Sequence, residues 1–314
     1  MHVMAKAQFV AVDWGTTSFR LWLIGDDGSV LGESRSREGM TTARETGFAT
    51  VLDRHLAEVG APAETPVIMC GMVGAKQGWV EAGYIDVPAR LADISGRAVR
   101  ISGVARDIRI LPGLAQRDVN SADVMRGEET QLLGSSESMK NSDCLIAMPG
   151  THSKWVRVVR HEVLGFSTFM TGELFDIIAK QSILQHAVKD ATGFDGAHPA
   201  FLASLHATYR EPELATNRLF SIRARGLLFS LAPVDAEATL SGMMIGLELA
   251  GALKQAPKDT PVILVASGKL RGLYEAAFHR LGLKSTTIDA DEAVRRGLSL
   301  AARDIWQTDE GSNA

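Results

Sequence analysis

Val10-Ala11-Val12-Asp13-Trp14-Gly15-Thr16-Thr17-Ser18-Phe19-Arg20-Leu21-Trp22-Leu23-Ile24 is the stretch whose reading decides the fold. An apolar run ends in an acid, Asp13. A small, hydroxyl-rich turn follows, and a second apolar run leads away. Short apolar runs bounded by a glycine turn read as buried strands, so the segment is a strand hairpin. Its turn gathers backbone N–H groups and hydroxyls round a small concavity with one carboxylate at the edge. Such a nest suits a phosphate, and the carboxylate suits the Mg2+ that travels with it. The same residues also make a plain turn with a solvated aspartate, and the stretch alone leaves both readings open.

Outward from this hairpin, Gly25-Asp26-Asp27-Gly28 is a turn signal and Val30 to Arg37 a third strand, so the chain opens as an antiparallel meander. Apolar residues at Phe48, Val51, Leu52, Leu56 and Val59 predict a helix from Ala43 to Val59. Pro66 to Cys70 is a short buried strand feeding the glycine-rich loop from Gly71 to Trp79. Val99 to Ser102 and Asp107 to Ile110 read as strands. A helix with Ser121 as N-cap is expected to run to Leu133. The polar stretch Ser135 to Ser142 closes the first domain. Cys144 to Met148, Lys154 to Val159 and Glu162 to Met170 build a second sheet. Helices follow over Gly172 to Val188, Ala200 to Tyr209, Ala215 to Leu231 and Ala236 to Gln255. After them come a strand, Pro261 to Ala266, a break at Ser267-Gly268, a helix from Leu270 to Leu281 and a strand from Lys284 to Ile288. Asp289, Asp291 and Glu292 open a last helix to about Trp306, where acids suit the helix dipole. The polar tail from Gln307 is expected to be disordered.

The opening turn recurs: Gly15-Thr16-Thr17-Ser18 returns as Gly150-Thr151-His152-Ser153, again between two apolar strands. Two such hairpins facing each other across a cleft would hold the two ends of a triphosphate. Phosphoryl transfer asks a protein chiefly to position groups and neutralise charge.

Bulk properties agree with an ordinary two-domain protein. The chain has 314 residues, with 46% apolar and 22% charged. A formal net charge of −4 supplies no broad basic field, which argues against nucleic acid and anionic membrane as partners. Cys70 and Cys144 lie in apolar runs and read as buried thiols of a reducing compartment. The longest apolar helical stretch, Leu240 to Leu253, is interrupted by Glu248 and is too short to span a bilayer. The N-terminus shows no leader pattern. A cytoplasmic location is expected, with domains over 1–142 and 143–289 and a terminal helix, 290–307, packing back on the first.

Five segments in order resemble the motifs of the actin-like ATPase superfamily, which includes hexokinases and other sugar kinases. Asp13 to Ser18 resembles the first phosphate motif and Gly127-Glu128-Glu129-Thr130 the first connecting helix. Pro149 to Trp155 resembles the second phosphate motif, Val265 to Leu270 the adenosine motif, and Ala293 to Ala302 the second connecting helix, with Gly297 where helices pack closely. More narrowly, Cys70 to Gly74 with Gln77-Gly78-Trp79, Met125 to Gln131, Pro149 to Val156 and Met170 to Phe175 resemble the 2-dehydro-3-deoxygalactonokinase family, over nearly the whole span from Phe9 to Ile305. The resemblance implies an α/β fold of two actin-like (ribonuclease H-like) domains. Each would hold a mixed sheet of the five-stranded type with helices, and the pair would flank a nucleotide cleft. It also implies ATP, Mg2+ and transfer of phosphate to the 6-hydroxyl of 2-dehydro-3-deoxy-D-galactonate.

On that resemblance Asp13 anchors Mg2+ through water. Gly15, Thr16, Thr17, Gly150, Thr151 and Ser153 serve the phosphates, and Ser267 and Gly268 let the backbone approach adenosine. Lys154 either neutralises the transferring phosphoryl group or is a solvated strand-end charge. His152 reads as a structural, hydrogen-bonded histidine. The second hairpin carries Met148 where the first has Asp13, so the base must be sought elsewhere. Glu129 is the favoured proton acceptor and its neighbour Glu128 the rival, since adjacent helix residues point about 100° apart. The substrate's carboxylate calls for a cation, with Arg20, Lys76 and Arg126 as candidates. The loop of Gly71 and Met72 is the substrate-loop candidate, with Gln77 for a hydroxyl and Trp79 as an apolar wall; a structural turn with a core tryptophan is the other reading.

Three alternatives remain open: a kinase for another small sugar or sugar acid, an ATP-switched scaffold of the same superfamily, and a non-catalytic sugar sensor. A scaffold would need partner-binding insertions. A sensor would carry a helix-turn-helix before the first phosphate motif, and only eight residues precede Phe9. A homodimer is left open.

Overall fold

Ala7–Trp14, Phe19–Gly25 and Val30–Ser36 form the opening antiparallel meander. Residues 9–12 and Trp14 of the first strand are buried, on both faces of the sheet. That explains a near-continuous apolar run instead of strict alternation. The computed structural model describes residues 5–140, 142–256 and 260–311. It separates into one unit of Met1–Asn141, Arg160–Gly165 and Ala290–Ala314 and a second of Ser142–Val159 and Phe166–Asp289.

In the first unit the sheet runs, from one edge, Val30–Ser36, Phe19–Gly25, Ala7–Trp14, Val67–Gly71, Ile108–Ile110 and Val99–Arg100. Val67–Gly71 is parallel to Ala7–Trp14 and to Ile108–Ile110. In the second unit the order is Glu162–Phe169, Ser153–Val159, Cys144–Met148, Val262–Val265 and Ser285–Ile288. There Cys144–Met148 is antiparallel to Ser153–Val159 and parallel to Val262–Val265, which is parallel in turn to Ser285–Ile288. Counted along the chain, the first sheet reads third, second, first, fourth, sixth, fifth and the five strands of the second read third, second, first, fourth, fifth, so the two share their first four places. The four-residue repeat seen in the sequence is therefore the visible part of a repeated topology, that of the ribonuclease H-like, actin-like domain.

Helices cover these sheets by close backbone approach. In the first unit Ala290–Gly311 packs on Glu128–Gly134. A Cβ on Gly297 would overlap the Thr130 carbonyl, and one on Gly134 the Ala293 carbonyl, so both positions require glycine. In the second unit Pro233–Gln255 packs on Pro199–Arg210, with Gly242 and Gly246 against the backbone of Phe201 and Leu205.

Several sequence expectations need correction. The helix expected over 43–59 is two, Met40–Thr46 and Phe48–Glu58, broken at Gly47 with φ 92°. The helix expected over 121–133 begins only at Glu128. Ser121 is not its cap; Gly127 is, at φ 105°. Asp123–Met125 instead pairs with Gly113–Gln116, which pairs with Tyr84–Asp86, as a small sheet that the sequence reading missed. The helix over 172–188 ends at Gln181 and resumes over Gln185–Val188. The last helix continues to Gly311, past the tail expected to be disordered; 312–314 lie outside the described residues. Both cysteines are free and buried. No helix among the described residues is long and apolar enough to cross a membrane.

Candidate active site

The first hairpin turns at Gly15, whose N–H donates to the Ser18 carbonyl at 2.9 Å. Thr16, Thr17 and Ser18 are exposed. The turn is braced from behind, because the Met40 and Thr41 N–H groups donate to the Gly15 and Thr16 carbonyls at 2.9 and 3.1 Å. Gly39 lies against the Thr16–Thr17 peptide where a Cβ would not fit. The hydroxyls thus sit on a fixed turn open to solvent.

Asp13 stands opposite Arg20 in the strand register. Arg20 Nη1 is 3.7 Å from Asp13 Oδ2 but 2.5 Å from Asp291 Oδ1, and the other Asp291 oxygen takes Arg35 Nη1 at 2.8 Å. Asp13 is therefore the looser partner of Arg20, and its side chain stays 21% exposed. Burial pushes its carboxyl above the ordinary value, Arg20 pulls it back, and the Asp291 charge pushes it up again. Arg20, expected for the substrate, is already engaged by two carboxylates of its own chain. Beside them Gly71, at φ 92°, packs on the Trp14 carbonyl, and Cys70 Sγ lies 3.9 Å from Asp13 Oδ1.

Past Gly127 the acidic pair divides. Glu129 is 0% exposed; its Oε2 accepts the Gly127 N–H at 2.7 Å and its Oε1 the Thr130 hydroxyl at 3.1 Å. Burial first, and the Glu128 charge second, push its carboxyl up to about 8. Glu128 is half-buried and accepts the Arg126 N–H at 3.1 Å. Of the favoured proton acceptor and its rival, Glu129 is thus the sealed member of the pair and Glu128 the more accessible one.

Arg126 is the unusual cation. Its Nη2 donates to the Gly83 carbonyl at 2.7 Å and its guanidinium lies 4.3 Å from the centre of the Tyr84 ring. Its Nε and Nη1 are buried and have no hydrogen-bond partner among the described residues. Unmet donors on a buried cation are costly. They mark a place where an anion would be stabilised. In the neighbouring loop Lys76 and Gln77 are exposed and Met72 is half-buried. Trp79 stacks on Phe48 at 6.0 Å and meets Trp14 edge-on at 6.5 Å, so it belongs to the wall of the core.

In the second unit Gly150 is half-buried and Thr151 exposed. His152 Nε2 lies 2.5 Å from Glu173 Oε2, the structural role expected of it. Ser153, expected at the phosphates, is 0% exposed and faces inward. Its hydroxyl accepts the Gly150 N–H at 3.4 Å and lies 3.4 Å from the Tyr274 hydroxyl. Lys154 stands opposite Met148 in register and is 5% exposed, with Nζ donating to Thr168 Oγ1 at 2.8 Å. Ser267 precedes the helix Gly268–Arg280 and donates to Asp289 Oδ2 at 2.8 Å, while Gly268 has φ 58° and open space beside it. Glu248, which the sequence reading treated only as an interruption of an apolar helix, is a buried carboxylate under this hairpin. The single acid in the apolar stretch Leu240 to Leu253 was the signal that could have found it.

A family profile described as 2-keto-3-deoxy-galactonokinase matches residues 13–301. "Probable 2-dehydro-3-deoxygalactonokinase DgoK1" of Rhizobium meliloti (strain 1021) is 60% identical over 298 residues, 95% of this chain and 97% of the relative. The 2-dehydro-3-deoxygalactonokinase of Escherichia coli (strain K12) is 34% identical over 302 residues, 95% of this chain and 99% of the relative. A crystal structure of a Sinorhizobium meliloti protein described by the same activity superposes with a TM-score of 0.92 at 60% identity, covering 95% of this chain and 99% of that one. The chain belongs to the 2-keto-3-deoxy-galactonokinase family.

Proposed function

We propose that this protein transfers the γ-phosphoryl group of ATP to the 6-hydroxyl of 2-dehydro-3-deoxy-D-galactonate, giving the 6-phosphate and ADP. Family membership supports the reaction. Arg126 carries the substrate end of the reading: its two buried, unmatched N–H donors suit the carboxylate that distinguishes a sugar acid from a neutral sugar. The exposed Thr16 and Thr17 hydroxyls of the first turn, and the Thr151 hydroxyl with Lys154 of the second, take phosphate oxygens. The open space beside Gly268, next to Ser267, supports their role in letting the backbone approach adenosine. The hydroxyl oxygen forms its bond to the γ-phosphorus as the bond to the β–γ bridging oxygen breaks, and Glu128 accepts the hydroxyl proton. Glu129 holds the Gly127 turn on which Arg126 and Glu128 depend.

Mg2+ fits the first hairpin. Among the described residues no three His, Cys, Asp or Glu side chains gather as a metal site. One carboxylate, Asp13, stands beside exposed hydroxyls. Mg2+ characteristically takes one or two carboxylates and completes its shell with water and phosphate oxygens. Bound there, it would neutralise phosphate charge.

The test is ADP release from purified protein with ATP, Mg2+ and a panel of sugars and 2-keto-3-deoxy acids. Turnover with a hexose but none with the galactonate derivative would refute the substrate. Glu128→Gln should abolish turnover and leave ATP binding intact, whereas Glu129→Gln should keep turnover. The reverse pattern would move the base to Glu129.

A further inference from the structure

Glu248 lies within the helix Pro233–Gln255 and is 2% exposed. Its Oε1 accepts the Trp155 indole N–H at 2.8 Å; its Oε2 accepts the Tyr274 hydroxyl at 2.7 Å and the Thr171 hydroxyl. Burial pushes its carboxyl up, and Thr171, Trp155, Tyr274 and Ser153 pull it back as neutral donors. The Trp155 indole N–H can only donate, and the Thr171 and Tyr274 hydroxyls turn their hydrogens towards Oε2.

The donors come from the elements that bound the Gly150–Ser153 turn. Ser153 and Trp155 are on the strand that leaves it. Thr171 opens the helix Thr171–Gln181, whose next two residues grip the turn. A Cβ on Gly172 would meet the Gly150 carbonyl at 2.6 Å, and the Glu173 N–H donates to the Thr151 carbonyl at 3.1 Å. Tyr274 is on the helix Gly268–Arg280 and reaches Ser153, which takes the Gly150 N–H. One buried acceptor thus takes the Thr171 and Tyr274 hydroxyls and the Trp155 N–H behind the turn.

We propose that Glu248 is a positioning residue for ATP: it fixes the Gly150–Ser153 turn by acting as the common acceptor for Trp155, Thr171 and Tyr274, the last of which reaches Ser153. The inference rests on the reading above, in which this turn receives phosphate. Replacing the carboxylate by an amide of the same shape puts a donor where Oε2 accepted two hydroxyls. Thr171 and Tyr274 must then turn round, and Tyr274 presents its hydrogen to Ser153. The turn loses its fixed polarity without losing a side chain from the core.

The experiment measures KM for ATP, KM for the sugar acid and the melting temperature of Glu248→Gln, Tyr274→Phe and the double variant. The expected result is a rise of about tenfold in KM for ATP in both single variants, an unchanged KM for the sugar acid, and no further rise in the double variant. If folded variants keep the wild-type KM for ATP, or if both KM values move together, the positioning role is refuted. Should Glu248→Gln not fold, Tyr274→Phe decides alone. Thr151→Val separates the two levels. If it raises KM for ATP while the other variants do not, the inference fails and the reading stands. If it leaves KM for ATP unchanged as well, the reading of the turn fails.

Discussion

Replacing Glu129 by Gln should make the protein more stable near neutral pH, by an amount set by its buried carboxyl. In the folded chain that carboxyl titrates at about 8, against an ordinary value of 4.5. Between those values the unfolded chain gives up a proton that the folded chain keeps. Rising pH therefore favours unfolding by about 1.4 kcal/mol per pH unit, and the effect levels off above the folded value. At pH 7 the wild type has lost about 3 kcal/mol relative to acid conditions through this one group, and at pH 5 less than about 1 kcal/mol. Glutamine cannot ionise. Its carbonyl can still accept the Gly127 N–H, and its amide can donate to the Thr130 oxygen. Urea unfolding of both proteins from pH 5 to 8 reads the difference. The variant's advantage should be small at pH 5 and grow to about 3 kcal/mol at pH 7. Parallel stability curves for the two proteins would show that Glu129 is ionised in the folded state and would restore it as a candidate base.

Arg126→Gln should raise KM for the sugar acid roughly 10- to 100-fold, the range of a lost charge-assisted hydrogen bond, and leave KM for ATP near wild type; steady-state kinetics with each substrate varied in turn checks this. Gly297→Ala should destabilise the first unit by about 2 kcal/mol or more, because the added methyl meets the Thr130 carbonyl, a backbone atom that cannot step aside. A thermal melt reads the loss.

The central strands were legible in the sequence because both their faces are covered, and a strand buried on two sides leaves an apolar run with sharp ends. Val10 to Trp14 and Cys144 to Met148 are such runs. The segment before Glu128 was not legible. Asp123–Met125 is three residues long and exposes Val124, so its strand character comes from pairing with Gly113–Gln116 and from nothing local. Acids and alanine around it imitated a helix start, and the decisive break, Gly127 at φ 105°, looks in sequence like a tolerated helix glycine. The site divided in the same way. The placement of Asp13, Thr16, Thr17 and Thr151 at the two strand turns follows from local context. Which of Glu128 and Glu129 is sealed, and which cation keeps unmatched donors, shows only once the chain is folded. Asp291, more than 250 positions away, is what occupies Arg20.

The two hairpins share a topology but not a charge, and the strand register shows where they part. In the first, the residue opposite the basic position is an acid: Asp13 faces Arg20, and Asp291 holds Arg20 at the far side. The guanidinium is spent on the chain itself, and Asp13 keeps part of its surface open. In the second, the residue opposite the basic position is Met148, which offers Lys154 no charge, and the ammonium is held by the neutral Thr168 hydroxyl. A neutral acceptor orients an ammonium without cancelling it. One copy of the motif thus presents a carboxylate beside open hydroxyls, and the other keeps a cation whose charge is uncompensated by its register partner. The same turn thus occurs twice with different charge, an acid opposite the basic residue in one copy and a methionine in the other, and on that difference rest the proposed roles of metal for the first and phosphate for the second.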